Sequence, residues 1–196
     1  LQKQWTENGR SYFHYVQDTK IQFFLSIISG NFDVFKDSVT ISNGNKINIE
    51  IYHHKNHKFN LRRFNTSLKD GLEYFSESYG SYQFRQMRII EFPRYSAFAQ
   101  SFPNTVPYSE AFGWVGDFSD PDKFDYTYWV TAHELAHQWW GHQVVPNKTR
   151  GSNLISESLA VNTALLLSER RYGADNMQRF LKEELERYLR GRASES

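Results

Sequence analysis

Two histidines stand four residues apart in the segment Val130–Gly141, and Glu134 directly follows the first of them. On an α-helix this spacing places the imidazoles of His133 and His137 on one face, one turn apart, where their ring nitrogens can converge on a metal ion. Glu134 lies beside them, in a position to act on a water held by the metal rather than to bind the metal itself. The pattern therefore predicts a metal-dependent hydrolytic site on a helix.

A catalytic zinc ion takes three protein ligands and leaves a fourth position for water, so a third ligand must come from elsewhere in the chain. Glu157 lies at the start of the apolar segment Leu154–Leu167 and is the first acidic residue after His137. We therefore expect one Zn²⁺ per chain, held by His133, His137 and Glu157. The alternative for Glu157 is an ordinary first-turn acid, favoured there by the helix dipole.

The composition limits the classes of function. Of the 196 residues, 39% are hydrophobic and 17% aromatic, which is enough to bury a sizeable core. A net charge of +1 gives no electrostatic reason to expect nucleic acid as a partner. The absence of cysteine excludes disulfides and thiolate metal sites. The longest apolar run, Ile21–Ile28, is too short to span a membrane.

The first quarter of the chain predicts β-structure, because the segment 11–52 is rich in Tyr, Phe, Ile and Val, notably over Tyr12–Ile28. Around Asn43-Gly44, two alternating apolar runs predict a hairpin, since Asn-Gly between such runs is a strong hairpin signal. Three histidines follow, at His53, His54 and His57. A histidine cluster could bind a metal, but with no acid nearby we expect a solvated strand end.

After Phe59 the apolar residues recur every three or four positions, which predicts an amphipathic helix that ends at Gly80. The later elements are then predicted as a strand over 83–92, a short strand over 108–115, a polar loop over 117–123, the histidine helix over about 125–141, a helix from 157 to about 172 and a helix over 175–190. Strands followed by helices predict an α+β protein with a soft boundary near residue 55.

Three segments of the chain are similar to the gluzincin zinc aminopeptidases of the aminopeptidase N family. The run His133–Gly141 matches the zinc helix of that family beyond the two histidines and the glutamate. Ile155–Ala160 resembles the third-ligand segment, which is normally Leu-Asn-Glu-Gly-Phe-Ala. Ser109–Gly113 stands where the family has Gly-Ala-Met-Glu-Asn followed by Trp-Gly, and Glu110 aligns with that glutamate. The likeness covers roughly residues 60 to 190.

This resemblance implies a thermolysin-like zinc metallopeptidase core, a mixed sheet plus helices, over residues 56–196 and truncated at its C-terminus. Residues 1–55 would be strands from the end of an N-terminal β-domain. The implied activity is that of an aminopeptidase, in which Glu134 is general base and then general acid and Glu110 binds the free N-terminus of a peptide substrate. A strand-edge acid with a solvated carboxylate is the alternative for Glu110. An outer hydrogen-bond acceptor for the ligand histidines is also expected, with Asn162 as a candidate.

The sequence departs from the family pattern in three ways. Nineteen residues separate His137 from Glu157 instead of the usual eighteen, so the connection must absorb one residue. The exopeptidase segment keeps Glu110 but not its neighbours. The transition-state tyrosine of the family would lie beyond Ser196, so this chain is expected to bind zinc but to catalyse poorly.

Two alternatives to an aminopeptidase follow from these departures. One is a zinc endopeptidase in which Glu110 recognises no amine. The other is a non-catalytic, zinc-stabilised binding or regulatory module of a larger membrane protein. The chain begins at Leu1 without a methionine and ends abruptly at Ser196, so we expect a longer parent polypeptide as its covalent partner. The pattern resembles divergent bacterial members of the family, some of them fused to transporter-like membrane segments.

Overall fold

The computed structural model of the protein describes residues 1–17, 19–118, 120 and 123–193. Its strands are β1 (Lys3–Glu7), β2 (Arg10–His14), β3 (Asp33–Thr40), β4 (Lys46–His53), β5 (Gln86–Phe92) and β6 (Thr105–Ser109). Its α-helices are α1 (Leu61–Tyr79), α2 (Glu110–Gly113), α3 (Tyr126–Ala136), α4 (Leu159–Tyr172) and α5 (Ala174–Ala193). A π-helical turn, Leu154–Ser158, leads directly into α4.

The central sheet has the strand order β3-β4-β5-β6 and is mixed. β3 and β4 form the antiparallel hairpin predicted around Asn43-Gly44, where Gly44 adopts a φ of 84° that favours glycine. β4 pairs with β5 in parallel, with α1 as the crossover between them, and β5 pairs in parallel with β6. The predicted α+β class, a mixed sheet plus helices, is confirmed.

The sheet continues across the boundary that the sequence suggests near residue 55. β3 and β4 precede this position and β5 and β6 follow it, yet β4 pairs with β5 from Asn48 to Tyr52. A division into 1–55 and 56–196 therefore passes through one sheet rather than between two. Only the β1–β2 hairpin forms a sheet of its own among the described residues.

The strand prediction for Tyr12–Ile28 is wrong beyond His14, where β2 ends. The described residues between β2 and β3 form neither helix nor strand, and Phe23 and Ile27 are 97% and 91% exposed. The segment is apolar but does not alternate, so no single face is specified for burial and no pairing register is selected. Positions 18, 119, 121 and 122 lie outside the described residues, so part of the predicted polar loop over 117–123 has no structural counterpart here.

Helix α1 spans the predicted residues and joins the sheet to the histidine helix. Its buried apolar face packs in one cluster with the sheet and with Ala132 and Leu135 of α3. The α1 residues of this face are Leu61, Phe64, Leu68, Leu72 and Phe75. The sheet residues in the cluster include Ile47, Ile49, Ile51, Met87 and Ile89. Burial of this apolar surface places α3 at a defined position over the sheet.

The N-terminus of α3 is held by Asp125, its N-cap residue. The Asp125 carboxylate accepts a hydrogen bond of 3.0 Å from the backbone N–H of Tyr128, as N-cap aspartates commonly do. It also forms an ion pair with Arg63 of α1 and accepts a hydrogen bond of 3.1 Å from the Tyr172 hydroxyl at the end of α4. One buried carboxylate therefore ties three helices together at the start of the histidine helix.

Helix α3 ends at Ala136, earlier than the predicted end at Gly141. His137 still has helical dihedral angles (φ −60°, ψ −19°), and its N–H donates to the His133 carbonyl at 3.2 Å. Gly141, with a φ of 125°, then reverses the chain, and its N–H donates to the Val144 carbonyl. The one-turn spacing of the two histidines is thus retained although the helix is shorter.

The strand predicted over 108–115 ends at Ser109, where α2 begins. The Ser109 hydroxyl accepts a hydrogen bond of 3.2 Å from the Ala111 N–H, so this serine acts as an N-cap. Further along the chain, Gly173 separates α4 from α5 as predicted, and Phe180 anchors α5 in a small apolar cluster. Among the described residues, no helix combines the length and the apolar character needed to cross a bilayer.

Substituting Gly113→Ala tests the packing at the end of α2. An added Cβ would lie 2.7 Å from two ring atoms of Tyr108 and 3.0 Å from Phe64, and both rings are fully buried. Because these rings cannot move far in a dense core, we expect a loss of about 1–3 kcal/mol in the free energy of unfolding, measured by urea denaturation. In α5, Gly191→Ala is the control, since its Cβ would meet no atom within 4 Å. Equal losses in both variants would contradict this account.

Candidate metal centre

The structure brings the three predicted metal ligands together. His133 lies on α3, His137 on the turn that follows it, and Glu157 in the π-helical turn before α4. The Nε2 atoms of the two histidines are 3.1 Å apart. Glu157 Oε2 lies 3.6 Å from His133 Nε2 and 3.5 Å from His137 Nε2. Three donor atoms therefore converge on one point.

The triangle formed by these atoms fits a tetrahedral zinc ion. Nitrogen and oxygen ligands lie about 2.0–2.1 Å from zinc, which puts tetrahedral donor atoms about 3.4 Å from one another. The observed separations of 3.1, 3.5 and 3.6 Å bracket this value. Two imidazoles and one carboxylate are also a known catalytic zinc ligand set, which leaves a fourth position for water.

The environment of His137 prepares it to bind a metal. Its Nδ1 lies 3.0 Å from the Trp140 carbonyl, so Nδ1 carries the proton and donates it, which leaves Nε2 free to bind the metal. Burial, followed by the electrostatic effect of His133, lowers the pKa of His137 below its ordinary value. This shift favours the neutral ring, which is the form that binds a metal. Asn162, the candidate outer acceptor, is exposed, and the Trp140 carbonyl takes that place for His137.

The side chain of Trp129 orients the other ligand histidine. The Trp129 and His133 rings stack with centroids 5.5 Å apart and an interplanar angle of 22°. Trp129 and His133 are one helical turn apart on α3, so this contact is local, yet the sequence did not single it out. The Glu157 carboxylate faces both rings, and its interaction with His133 is the largest effect that lowers its pKa. The lowered pKa favours the anionic form, which is the form that binds a metal.

The π-helical turn explains how the chain absorbs the additional residue between His137 and Glu157. The N–H of Leu159 donates to the carbonyl of Leu154, five residues earlier, instead of four as in an α-helix. A π-turn accommodates one extra residue in a helix and often lies at a functional site. Here it contains Glu157 and brings its carboxylate to the imidazoles despite the longer connection.

Glu134 is buried, with 6% of its surface exposed, next to the two ligand histidines. Its pKa is raised from 4.5 to about 7, mainly by burial and also by the negative charge of Glu157, against the lowering effects of His133 and of the Ser101 backbone. A carboxylate with a pKa near 7 is a stronger base than an ordinary glutamate, which suits proton transfer near neutral pH.

A loop containing Ser101, which the sequence did not single out, is clamped against the histidine helix. Gln138 donates from Nε2 to Ser101 Oγ at 2.7 Å and to the Phe102 carbonyl at 2.9 Å, and it accepts from the Asn104 N–H at 2.8 Å. His142 Nε2 lies 3.2 Å from the Ser101 carbonyl. Burial lowers the pKa of His142 to about 4, so this ring is neutral and donates from Nε2. The clamp fixes the backbone N–H that faces Glu134.

This loop also borders the sheet. Residues 98–102 run antiparallel to β6, with bridges between Ala99 and Tyr108 and between Phe102 and Thr105. The clamp joins positions 37 residues apart in the sequence, as from Gln138 to Ser101. No periodicity could have indicated this contact, and the only sequence signal was the position of Gln138 directly after a ligand histidine.

The structure does not bring Glu110 into the group formed by His133, His137 and Glu157. Glu110 begins α2, and its Oε1 accepts a hydrogen bond of 3.1 Å from the Arg94 N–H. It belongs instead to a second group, with His57 and Glu91. The expectation that the histidines at 53–57 form a solvated strand end without an acid nearby is therefore wrong for His57. These acids come from later in the sequence, so proximity along the chain could not reveal them.

Two imidazoles and a glutamate that converge on one point, beside a buried glutamate, are the features of a gluzincin-type metallopeptidase centre. Residues 64–196 match the model described as the peptidase family M1 domain, which is more than half of the chain. The chain belongs to peptidase family M1, and the predicted membership of the aminopeptidase N-like gluzincins is confirmed. No curated protein sequence matches the chain.

A solved structure supports the fold. The crystal structure of Legionella pneumophila aminopeptidase A in complex with aspartic acid is similar to this chain with a TM-score of 0.63. The two proteins share 21% sequence identity, over 76% of this chain and 18% of the Legionella chain. This chain therefore corresponds to a small part of the length of that enzyme.

The buried carboxyl of Glu134 should make the zinc-free protein less stable as the pH rises. Its pKa is about 7 in the folded protein and near 4.5 in the unfolded chain, so the folded state holds the extra proton between these values. The resulting stabilisation is complete below about pH 4.5 and is lost as the pH rises through 7. This difference between the folded and unfolded pKa corresponds to a stabilisation of about 3 kcal/mol.

Glu134→Gln removes this titration. We compare the free energies of unfolding of the variant and the wild type by urea denaturation in EDTA. The difference between them should shift in favour of the variant by up to about 3 kcal/mol from pH 4.5 to pH 8. Glu73→Gln, an exposed position on α1, is the control. A difference between wild type and Glu134→Gln that stays constant with pH would show that the buried carboxyl does not behave in this way.

Proposed function

We propose that the protein is a zinc-dependent peptidase and that its activity is that of an aminopeptidase, which removes N-terminal residues from peptides. One observation carries this proposal: three donor atoms converge at tetrahedral zinc spacing beside a buried glutamate of raised pKa. Membership of peptidase family M1 supports the peptidase class. The similar Legionella protein is an aminopeptidase, which supports the exopeptidase choice by analogy of fold.

His133, His137 and Glu157 would hold the zinc ion. Zinc, when bound, lowers the pKa of water and polarises the scissile carbonyl group. Glu134 then takes a proton from the attacking water and returns it to the nitrogen of the leaving amine, so one carboxylate serves as general base and as general acid. The Ser101 backbone supports this role, because its interaction with the Glu134 carboxylate favours the ionised form that accepts a proton.

The loop over 98–102 would align the substrate. It forms the outermost strand-like segment beside β6, and Ser101 within it faces Glu134. An extended peptide can pair with such an edge through main-chain hydrogen bonds, which gives affinity without regard to side-chain identity. The clamp by Gln138 and His142 keeps this edge at a constant distance from the metal ligands.

Recognition of the substrate amine by Glu110 stays a prediction. In favour of the endopeptidase alternative, the contacts of the Glu110 carboxylate are with the Arg94 N–H and His57, and no contact with the zinc ligands is found among the described residues. An endopeptidase would use the same ligands and the same Glu134. The two activities differ only in whether a free N-terminus is required.

Two substitutions should separate metal binding from proton transfer. Glu157→Ala removes an anionic ligand, so the variant should lose the zinc of this site and activity together. Glu134→Gln keeps all three ligands but cannot accept a proton, so it should retain zinc while the hydrolysis rate falls about 10²–10⁴-fold. Elemental analysis and hydrolysis of a peptide amide by the full-length protein measure both. Zinc that is unaffected by Glu157→Ala would overturn the ligand assignment and the mechanism with it.

Glu110→Ala tests the exopeptidase prediction in the full-length protein. If Glu110 binds the α-ammonium group, the variant should lose kcat/KM for free-amine peptides by about tenfold or more, because a charged hydrogen bond is lost, with little effect on the slow cleavage of N-acetylated peptides. Kinetics on a matched pair of free and acetylated substrates measure this. An equal effect on both substrates would remove Glu110 from amine recognition, and a preference of the wild type for acetylated peptides would favour an endopeptidase.

A further inference from the structure

A second group of metal-ligating side chains lies away from the zinc ligands, where three chain segments meet. His57 lies in the connection between β4 and α1, Glu91 near the end of β5, and Glu110 at the start of α2. His57 Nδ1 contacts Glu91 Oε1 and lies 3.7 Å from Glu110 Oε2. Each of the three residues offers a ligand atom within 4.8 Å of the other two.

The two carboxylates are oriented before any ion binds. Glu91 Oε2 accepts a hydrogen bond of 2.7 Å from the His54 N–H, and Glu110 Oε1 accepts one of 3.1 Å from the Arg94 N–H. The other oxygen of each carboxylate faces the imidazole of His57. Backbone N–H groups therefore hold the two carboxylates so that one oxygen of each faces the same ring nitrogen of His57.

The charges of this group do not balance without a further cation. The Glu91 side chain is 0% exposed and that of Glu110 only 16% exposed. Among the described residues, His57 is the sole ion-pair partner of either carboxylate. Even a protonated His57 would leave one net negative charge in a largely buried place. Buried charges are normally paired or bound to metals, because desolvation of an uncompensated charge is costly.

We propose that His57, Glu91 and Glu110 form a second metal site that binds a divalent transition-metal cation such as Zn²⁺. A neutral imidazole and two carboxylates balance the charge of a divalent ion, and this mixture of nitrogen and oxygen donors suits Zn²⁺ and its neighbours among the transition metals. The ion joins the connection before α1, the end of β5 and the start of α2. It therefore stabilises the end of β5 and the start of α2, the two points between which the loop over 98–102 and β6 lie.

The competing explanation is a proton rather than a metal, with His57 as an imidazolium paired with Glu91. The two explanations differ in the number of ions that the protein binds. If the site at 133, 137 and 157 is filled, a second metal site predicts two Zn²⁺ per chain, whereas a protonated His57 predicts one. Elemental analysis of the full-length protein, saturated with Zn²⁺ and then dialysed, should give two.

The second site is best measured after removal of the first. In a His133→Ala/His137→Ala background, calorimetric titration with Zn²⁺ alone should still detect one site per chain. Adding Glu110→Gln, which preserves size and has a partly exposed side chain, should weaken that site at least tenfold, and adding His57→Ala should abolish it. Adding His54→Ala is the matched control. It removes a neighbouring imidazole but keeps the backbone N–H to Glu91, so affinity should be unchanged.

Two results would overturn the proposal. If the double-alanine background binds no Zn²⁺, a protonated His57 rather than a metal offsets the charge of Glu91, and the group is an ion pair. If binding survives both Glu110→Gln and His57→Ala, the ion lies elsewhere. Circular dichroism shows whether each variant folds. If the His57→Ala variant does not fold, the Glu110→Gln variant by itself decides the outcome. Because the background lacks His133 and His137, failure of the second site says nothing about zinc binding at 133, 137 and 157 or about proton transfer by Glu134, and the reverse also holds. Occupancy of the second site would instead exclude the amine-recognition role predicted for Glu110.

Discussion

The whole site depends on one geometric constraint: two imidazole nitrogens and a carboxylate oxygen from separate segments must meet at the spacing of a single small ion. Each ligand is positioned by a different device. α3 is packed against α1 and tied down at Asp125, and the π-helical turn delivers Glu157. Trp140 connects the two sides, since its carbonyl accepts from His137 and its indole N–H donates to Thr163 of α4 at 2.9 Å. A shift of either helix would therefore disturb both the ligand and its hydrogen-bonded support.

Burial brings the pKa of Glu134 close to neutral pH, at a cost in stability. The same desolvation that raises the pKa of this carboxyl disfavours its ionised form in the metal-free protein. A bound cation would offset that cost, because positive charge nearby favours the carboxylate. The clamp from Gln138 and His142 to the loop at Ser101 limits how far the loop can relax to solvate Glu134. Metal binding and the folding of this region are thus expected to be coupled.

The two histidine–glutamate groups illustrate different ways of holding negative charge inside a small domain. At 133, 137 and 157 two imidazoles face one carboxylate, and the Glu157 side chain is 57% exposed. At 57, 91 and 110 the carboxylates outnumber the imidazole, and backbone N–H groups hold one oxygen of each. The carboxylates of the second group are the more buried, with Glu91 0% and Glu110 16% exposed against 57% for Glu157, which fits a stabilising ion rather than a catalytic one.

The spacing of neighbouring residues in the sequence was enough to determine the features that lie within one helical turn or one tight turn. His133, Glu134 and His137, the helix ending at Gly80 and the hairpin at Gly44 all follow from such short-range patterns, because side chains three or four residues apart share a helix face whatever the rest of the chain does. Only the tertiary structure decided that Ser101 faces Glu134 and that His57 meets Glu91 and Glu110. It also decided that one sheet contains strands from both sides of residue 55. These contacts join residues separated by 33 to 53 positions or arise from strand order, and no local periodicity encodes which distant segments share the burial of one apolar core.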